Sequence, residues 1–195
     1  MKTLVLVGAF LLTVAISPAL MASSWKLDKA HSMVNFSVAH LVISEVTGNF
    51  TDFDVTMSAS KDDLTDASIE TTIKSSTINT NNEQRDVHLK SDDFLNVEKF
   101  PEIRFKSTSV EKTGEDTYIM TGSLTIRDVT KTVVLDTKYR GTVKDPWGNT
   151  KVAFKTTTTI NRFEYGLKWD AVLETGGFVA GEDVEITLIM EFAKE

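Results

Sequence analysis

Ser75–Ser107, SSTINTNNEQRDVHLKSDDFLNVEKFPEIRFKS, is the stretch on which the fold of this 195-residue chain turns. On either side of it, apolar and polar residues alternate with the period of half-buried strands. Inside it the alternation stops. Thr80-Asn81-Asn82-Glu83 has the form of a capping box, in which a hydroxyl takes the N–H three residues on and the glutamate reaches back, so a helix is expected to begin here. Ser91 followed by Asp92 and Asp93 predicts a second helix start, with acids at the positive end of the dipole. Pro101 ends any helix and biases Phe100 toward extended backbone, and a strand is expected to resume at Ile103. One polar helical insertion therefore interrupts a chain of strands.

Upstream, Val34, Phe36 and Val38 alternate with Asn35, Ser37 and Ala39, and Phe53, Val55 and Met57 repeat the pattern after Gly48-Asn49. Phe50 is out of phase with Phe53, which predicts a bulge or bend at Thr51-Asp52. Ile69 and Ile73 carry the next face. Downstream, Ile103 and Phe105, then Tyr118, Met120, Leu124 and Ile126, then Val133, Leu135 and Tyr139 mark further strands. Asp145-Pro146-Trp147-Gly148-Asn149 is a strong turn before a threonine-rich run, Val152 to Ile160, and Val184 to Phe192 closes the series. About eight strands, short turns and no βαβ rhythm give an all-β chain. Strands of nine or more residues suit the tilted wall of an eight-stranded antiparallel barrel, which can enclose one small ligand.

Lys2, the apolar run Leu4–Ile16, Pro18 and small residues up to Ala22 have the order of a secretory signal peptide, so residues 1–22 are expected to be removed and 23–195 to form one domain. The run is shorter than a membrane span needs, and no stable membrane insertion is expected once it is cleaved. The remaining 173 residues carry 20 basic and 28 acidic side chains, a balance of −8 that argues against nucleic acid as a partner. There is no cysteine, so neither a disulfide nor thiolate chemistry is available.

Several pieces, in order, resemble the YceI-like family of polyisoprenoid-binding, lipocalin-like proteins. They are Asp28, His31-Ser32, Phe36, His40, Gly48, Phe50 and Phe53; then Thr80, Arg85-Asp86, His88-Leu89, Ser91, Asp93-Phe94, Phe100-Pro101 and Phe105; then Gly122, Leu124, Ile126 and Thr130-Lys131; and last Asn161-Arg162, Gly166-Leu167, Trp169, Leu173-Glu174 and Gly176-Gly177. Tyr165 departs from this pattern where phenylalanine is more usual, and Asp170 where asparagine is. The resemblance implies a lipocalin-like barrel whose helical segment caps an internal hydrophobic tunnel, located in the periplasm, without catalytic activity or cofactor. Its ligand would be a polyisoprenoid lipid such as a quinone or a prenyl phosphate. A homodimer is compatible with the sequence.

Candidate tunnel walls are the inward apolar residues Phe36, Phe53, Ile73, Phe94, Phe105, Leu124, Phe154, Phe163, Trp169 and Phe178, although alternation alone does not separate tunnel wall from packed interior. Arg85 is expected either to pin the helix to the barrel rim or to contact a ligand head group, and Asp86 to pair with Lys90 one turn on. Two other classes stay open on the residues: an enzyme acting on such a lipid with Asp86 and His88 as an acid–base pair, and a stress-response protein that sequesters fatty amides. His31, His40 and His88 lack the short spacings of a metal site.

Overall fold

The computed structural model describes residues 22–174 and 176–195; the expected signal segment lies outside the described residues except for its last position. Eleven strand segments form one antiparallel sheet: β1 (Ser23–Leu27), β2 (Met33–His40), β3 (Ser44–Phe50), β4 (Phe53–Ala59), β5 (Ser68–Lys74), β6 (Ile78–Asn79), β7 (Glu102–Lys112), β8 (Thr117–Ile126), β9 (Val129–Lys144), β10 (Thr150–Asn161) and β11 (Ala180–Lys194). They occupy eight positions in a closed barrel. β11 takes β2 along Ala180–Ile189 and β1 along Phe192–Lys194, so β1 and β2 share one position. β3 and β4 share the next, each paired to one of those two, and β5 and β6 the one after. β7 to β10 complete the ring.

The expected bend at Thr51-Asp52 is the break between β3 and β4. It lies beside the break between β5 and β6. Thr51 N–H donates to Thr77 O at 3.2 Å, Asp52 N–H to the Thr77 hydroxyl at 3.2 Å, and Lys74 N–H to Asp52 O at 3.0 Å. The wall is thus interrupted side by side in neighbouring positions, while its backbone groups stay paired.

Alternation supplies the core. β4 buries Phe53, Val55, Met57 and Ala59 and exposes Asp54 and Thr56. Leu135, Val152, Met190 and Phe192 face inward from the opposite wall. The threonine-rich middle of β10 also turns inward: Thr156 is buried and shares a 3.0 Å hydroxyl–hydroxyl bond with Thr137 of β9, so neither buried oxygen is unpaired.

Ring closure rests on a polar clamp. Asp28 N–H donates to Glu191 O at 2.8 Å, Glu191 N–H to the Ser32 hydroxyl at 3.0 Å, and Lys151 Nζ to both Asp28 Oδ2 (2.6 Å) and Glu191 Oε1 (3.2 Å). His31 adds a 3.1 Å contact to Asp28. Asp28, His31 and Glu191 converge as metal ligands could, but the Lys151 ammonium already bridges the two carboxylates. The Lys151 hydrogen bond, then that of His31, holds the Asp28 carboxyl at about 2, below its ordinary 3.8. A depressed carboxyl stabilises the fold above its unfolded value and loses that contribution as pH falls through the folded value, here from about 4 to about 2. Urea unfolding of the wild type should therefore lose on the order of 2 kcal/mol across that window. Asp28→Asn should flatten this step, and an identical pH profile for the two proteins would show that the clamp contributes nothing.

Candidate functional site

A cavity of about 300 Å³ occupies the end of the barrel beneath the helical insertion. Phe36, Ile73, Arg85, Phe94, Phe105, Leu124 and Trp169 line it, all of them expected wall residues. A second space of about 70 Å³ lies beside it, with Phe105, Thr71, Leu135 and Leu188 shared between the two; Phe154 lines only this smaller one. Phe53 is buried core and lines neither. Phe163 and Phe178 also line neither, and stack on each other in the loop region at 5.1 Å and 65°.

Two glycines shape the aromatic wall. Gly48 pairs with Phe36, and a Cβ there would strike the Phe36 ring. A Cβ at Gly122 would likewise strike the Phe105 ring. Each ring lies over a glycine on the neighbouring strand, which explains why a bare backbone sits inside a strand at these points.

The insertion forms one helix, α1 (Glu83–Lys90). Its N-cap is Asn82, whose side chain accepts Arg85 N–H at 3.0 Å, not the expected Thr80. Thr80 is buried and serves as the helix's anchor instead. Arg85 donates from Nε to the Thr80 hydroxyl and from Nη2 to Thr80 O, both at 2.8 Å, while Asp86 Oδ1 accepts Thr80 N–H at 2.9 Å and its hydroxyl at 2.5 Å. Asp86 is committed here and forms no ion pair with Lys90 among the described residues. The second expected helix, at Ser91, is a run of turns in which Asn96 has φ 46°.

Arg85, His88 and Leu89 share the helix face that lines the cavity. His88 Nε2 lies 2.9 Å from Asp93 Oδ2, and its ring meets Phe94 and Trp169 edge-on at 5.1 and 5.5 Å. Asp86 and His88 therefore face different partners and are not assembled as an acid–base pair. Arg127, at the β8–β9 turn, ties the turns after α1 to the loop opposite: its Nη1 donates to Asp92 O, Phe94 O and Gly166 O at 3.1, 3.0 and 2.9 Å.

Across the mouth, the 3-10 turn Arg162–Tyr165 starts the long connection to β11. Arg162 and Tyr165 are both buried and both line the cavity, and neither was among the expected site residues. Arg162 donates from Nε to Gly181 O, from Nη1 to Leu167 O and from Nη2 to Ala180 O at 2.8, 2.8 and 2.9 Å, fastening that connection over the cavity. Beside it the β2–β3 hairpin tip carries Val42 and Ile43 at 71% and 86% exposure, with Leu41 and Val42 at φ 53° and 64°. Left-handed backbone is costly for a β-branched residue, and an apolar tip is unusual where asparagine and glycine normally sit.

The YceI-like domain family model matches residues 25–192. The chain is 40% identical over 152 residues to a protein described as UPF0312 from Pseudomonas syringae pv. syringae (strain B728a), covering 76% of this chain and 78% of that one. Among solved structures it is similar to the Campylobacter jejuni YCEI protein (TM-score 0.68, 33% identity, 87% of this chain and 96% of that one). It also shares its fold with a structure described as a polyisoprenoid binding domain from Saccharophagus degradans (TM-score 0.63, 14% identity, 90% and 100% covered).

The Arg85 fork makes a direct prediction. Arg85→Lys keeps the charge but cannot make both bonds to Thr80 in one plane, losing roughly 1–2 kcal/mol of anchoring. Amide exchange over Glu83–Lys90 should accelerate about tenfold while β8 to β10 stay protected, in proportion to that loss. Unchanged exchange in α1 would show that Arg85 does not hold it.

Proposed function

The chain belongs to the YceI-like domain family, and from that premise we propose that it binds one molecule of a long-chain polyisoprenoid lipid, such as a quinone or a prenyl phosphate, and carries or stores it in the periplasm without transforming it. The carrying observation is the apolar cavity under α1, walled by aromatic and aliphatic side chains from strands around the barrel. Each five-carbon unit buried there gains about 4 kcal/mol gross, at ~0.8 kcal/mol per methylene, before the cost of ordering the chain is met. The likeness to the Saccharophagus degradans domain supports the same ligand class. The order of Lys2, apolar run and small residues before Ser23 supports secretion. Carriage requires exchange with a lipid surface, and the exposed Val42 and Ile43 beside the mouth are suited to touch one. Asp86 and His88, each engaged by a different residue, support binding over acid–base chemistry.

Solvent extraction of the natively purified protein, followed by mass spectrometry, should release an isoprenoid at about one per chain. Phe105 divides the two spaces, so Phe105→Ala should join them and shift the bound population toward longer chains, at a cost of about 3 kcal/mol in stability. Protein that carries no lipid and takes up no added polyprenol would overturn the proposal.

A further inference from the structure

Arg162 and Tyr165 are three residues apart in a 3-10 turn, a spacing that places side chains on the same side. They are 3% and 2% exposed. A guanidinium this deep pays a desolvation penalty unless an opposite charge is close. Among the described residues no carboxylate lies within ion-pair distance of Arg162; Asp170 and Glu182 act on it only through the field, and desolvation lowers its pKa. Three of its five N–H groups go to carbonyl oxygens, leaving two donors.

Tyr165 is the largest of the fully buried side chains, yet no described residue hydrogen-bonds its hydroxyl. Among the described residues only Trp25 Nε1 is a completely occluded side-chain polar atom without a partner, so with respect to them the Tyr165 hydroxyl keeps accessible surface, and the residue lines the cavity. Burial pushes its pKa to about 12, which leaves it a hydrogen-bond donor at neutral pH. The rest of the lining is mostly apolar and carries no acid among the described residues. It includes Arg85, His40 and His88 and not one aspartate or glutamate, in a chain whose net charge is −7. Buried polar donors without partners are rare in folded proteins, and where such donors line a cavity a ligand that brings an acceptor would satisfy them.

We propose that Tyr165 and Arg162 form an anion subsite inside the cavity, which receives the negatively charged head group, phosphate or carboxylate, of a single-chain lipid. This rests on the lipid-binding function proposed above and narrows it: a neutral quinone or prenol could accept a hydrogen bond but would bring no charge to Arg162, whose guanidinium is otherwise offset by the Phe163 ring 4.1 Å away and the distant Asp170 and Glu182.

The test is a set of binding titrations on delipidated full-length mature protein with farnesyl monophosphate, farnesol and palmitate, followed through the change in tryptophan fluorescence, to which Trp169 of the lining contributes, and by calorimetry. Farnesyl monophosphate is expected to bind at least tenfold more tightly than farnesol. Tyr165→Phe, which removes only a hydroxyl that no described residue hydrogen-bonds, should reduce that ratio about threefold or more with an unchanged circular dichroism spectrum. Arg162→Gln should abolish the ratio; if that variant does not fold, the tyrosine variant decides alone. Palmitate binding as tightly as the phosphate would identify negative charge as the requirement, and a phosphate preference beyond tenfold would identify a prenyl phosphate; either supports the subsite. Equal affinity for farnesyl monophosphate and farnesol, or a ratio indifferent to Tyr165→Phe, overturns it while leaving lipid binding intact. Failure of all three probes to bind overturns the lipid-binding function and the subsite with it.

Discussion

A barrel end that is closed by irregular backbone must find partners for carbonyl groups that no neighbouring strand can reach. Here arginine supplies them. Arg85 serves Thr80, Arg127 serves Asp92, Phe94 and Gly166, and Arg162 serves Leu167, Ala180 and Gly181, each through a guanidinium that spreads several donors in one plane. Leaving such a carbonyl buried and unpaired costs about 1–3 kcal/mol, so a lid over an apolar cavity would not close without them. The wall and the lid are consequently held by different means. The wall has continuous ladders, β10 against β11 from Lys151 to Asn161 among them, whereas the lid depends on a few side chains. Local opening follows the weaker set of contacts, which places the compliant part of the molecule over the cavity.

Much of the fold was legible because alternation with period two is a local property. The break at Thr51-Asp52 could be read from two phenylalanines out of phase. The end of β5 at Lys74 could be read from the loss of alternation at Ser75, but not the return to the sheet at β6, which is fixed by pairing of Ile78 and Asn79 with Phe50 and Asn49. The cap of α1 shows the limit of a local signal. Thr80 and Asn82 are both acceptable caps by type, and the choice is settled by side chains of the helix's own first turn, since Asp86 and Arg85 take the Thr80 hydroxyl and Asn81 turns through φ 57°. The turns after Ser91 were misread as helix because serine and aspartate open helices and turns by the same side-chain bonds.

The site was legible in part for a related reason. Alternation says that Phe36, Phe53, Phe105 and Phe154 point inward, but not at which height of the barrel packing is complete. Phe53 meets solid core, Phe105 meets empty space on two sides, and only the closed ring decides which. Phe163 and Phe178 lie outside any regular strand pairing except the single bridge of Val172 with Phe178, so no period constrained their direction. Arg162 was part of the family resemblance, but no periodicity says that it or Tyr165 faces a cavity. Tyr165 stood out only as a departure in residue type, and its meaning depends on burial that the 3-10 turn creates.

The distribution of charge completes the physical account. Acidic side chains dominate the chain as a whole, while the described cavity lining holds two arginines and no aspartate or glutamate. An acidic exterior cannot steer an anion inward and slows its approach. Any preference for an anionic head must then be generated after entry, where the Debye atmosphere does not reach and the effective dielectric is low. Selectivity placed inside a closed apolar space also excludes small hydrophilic anions, because they would shed their hydration without gaining the burial that a chain supplies. A ligand of the proposed kind must therefore combine two properties in one molecule, an apolar tail long enough to repay ordering and a head able to accept from Tyr165 and Arg162.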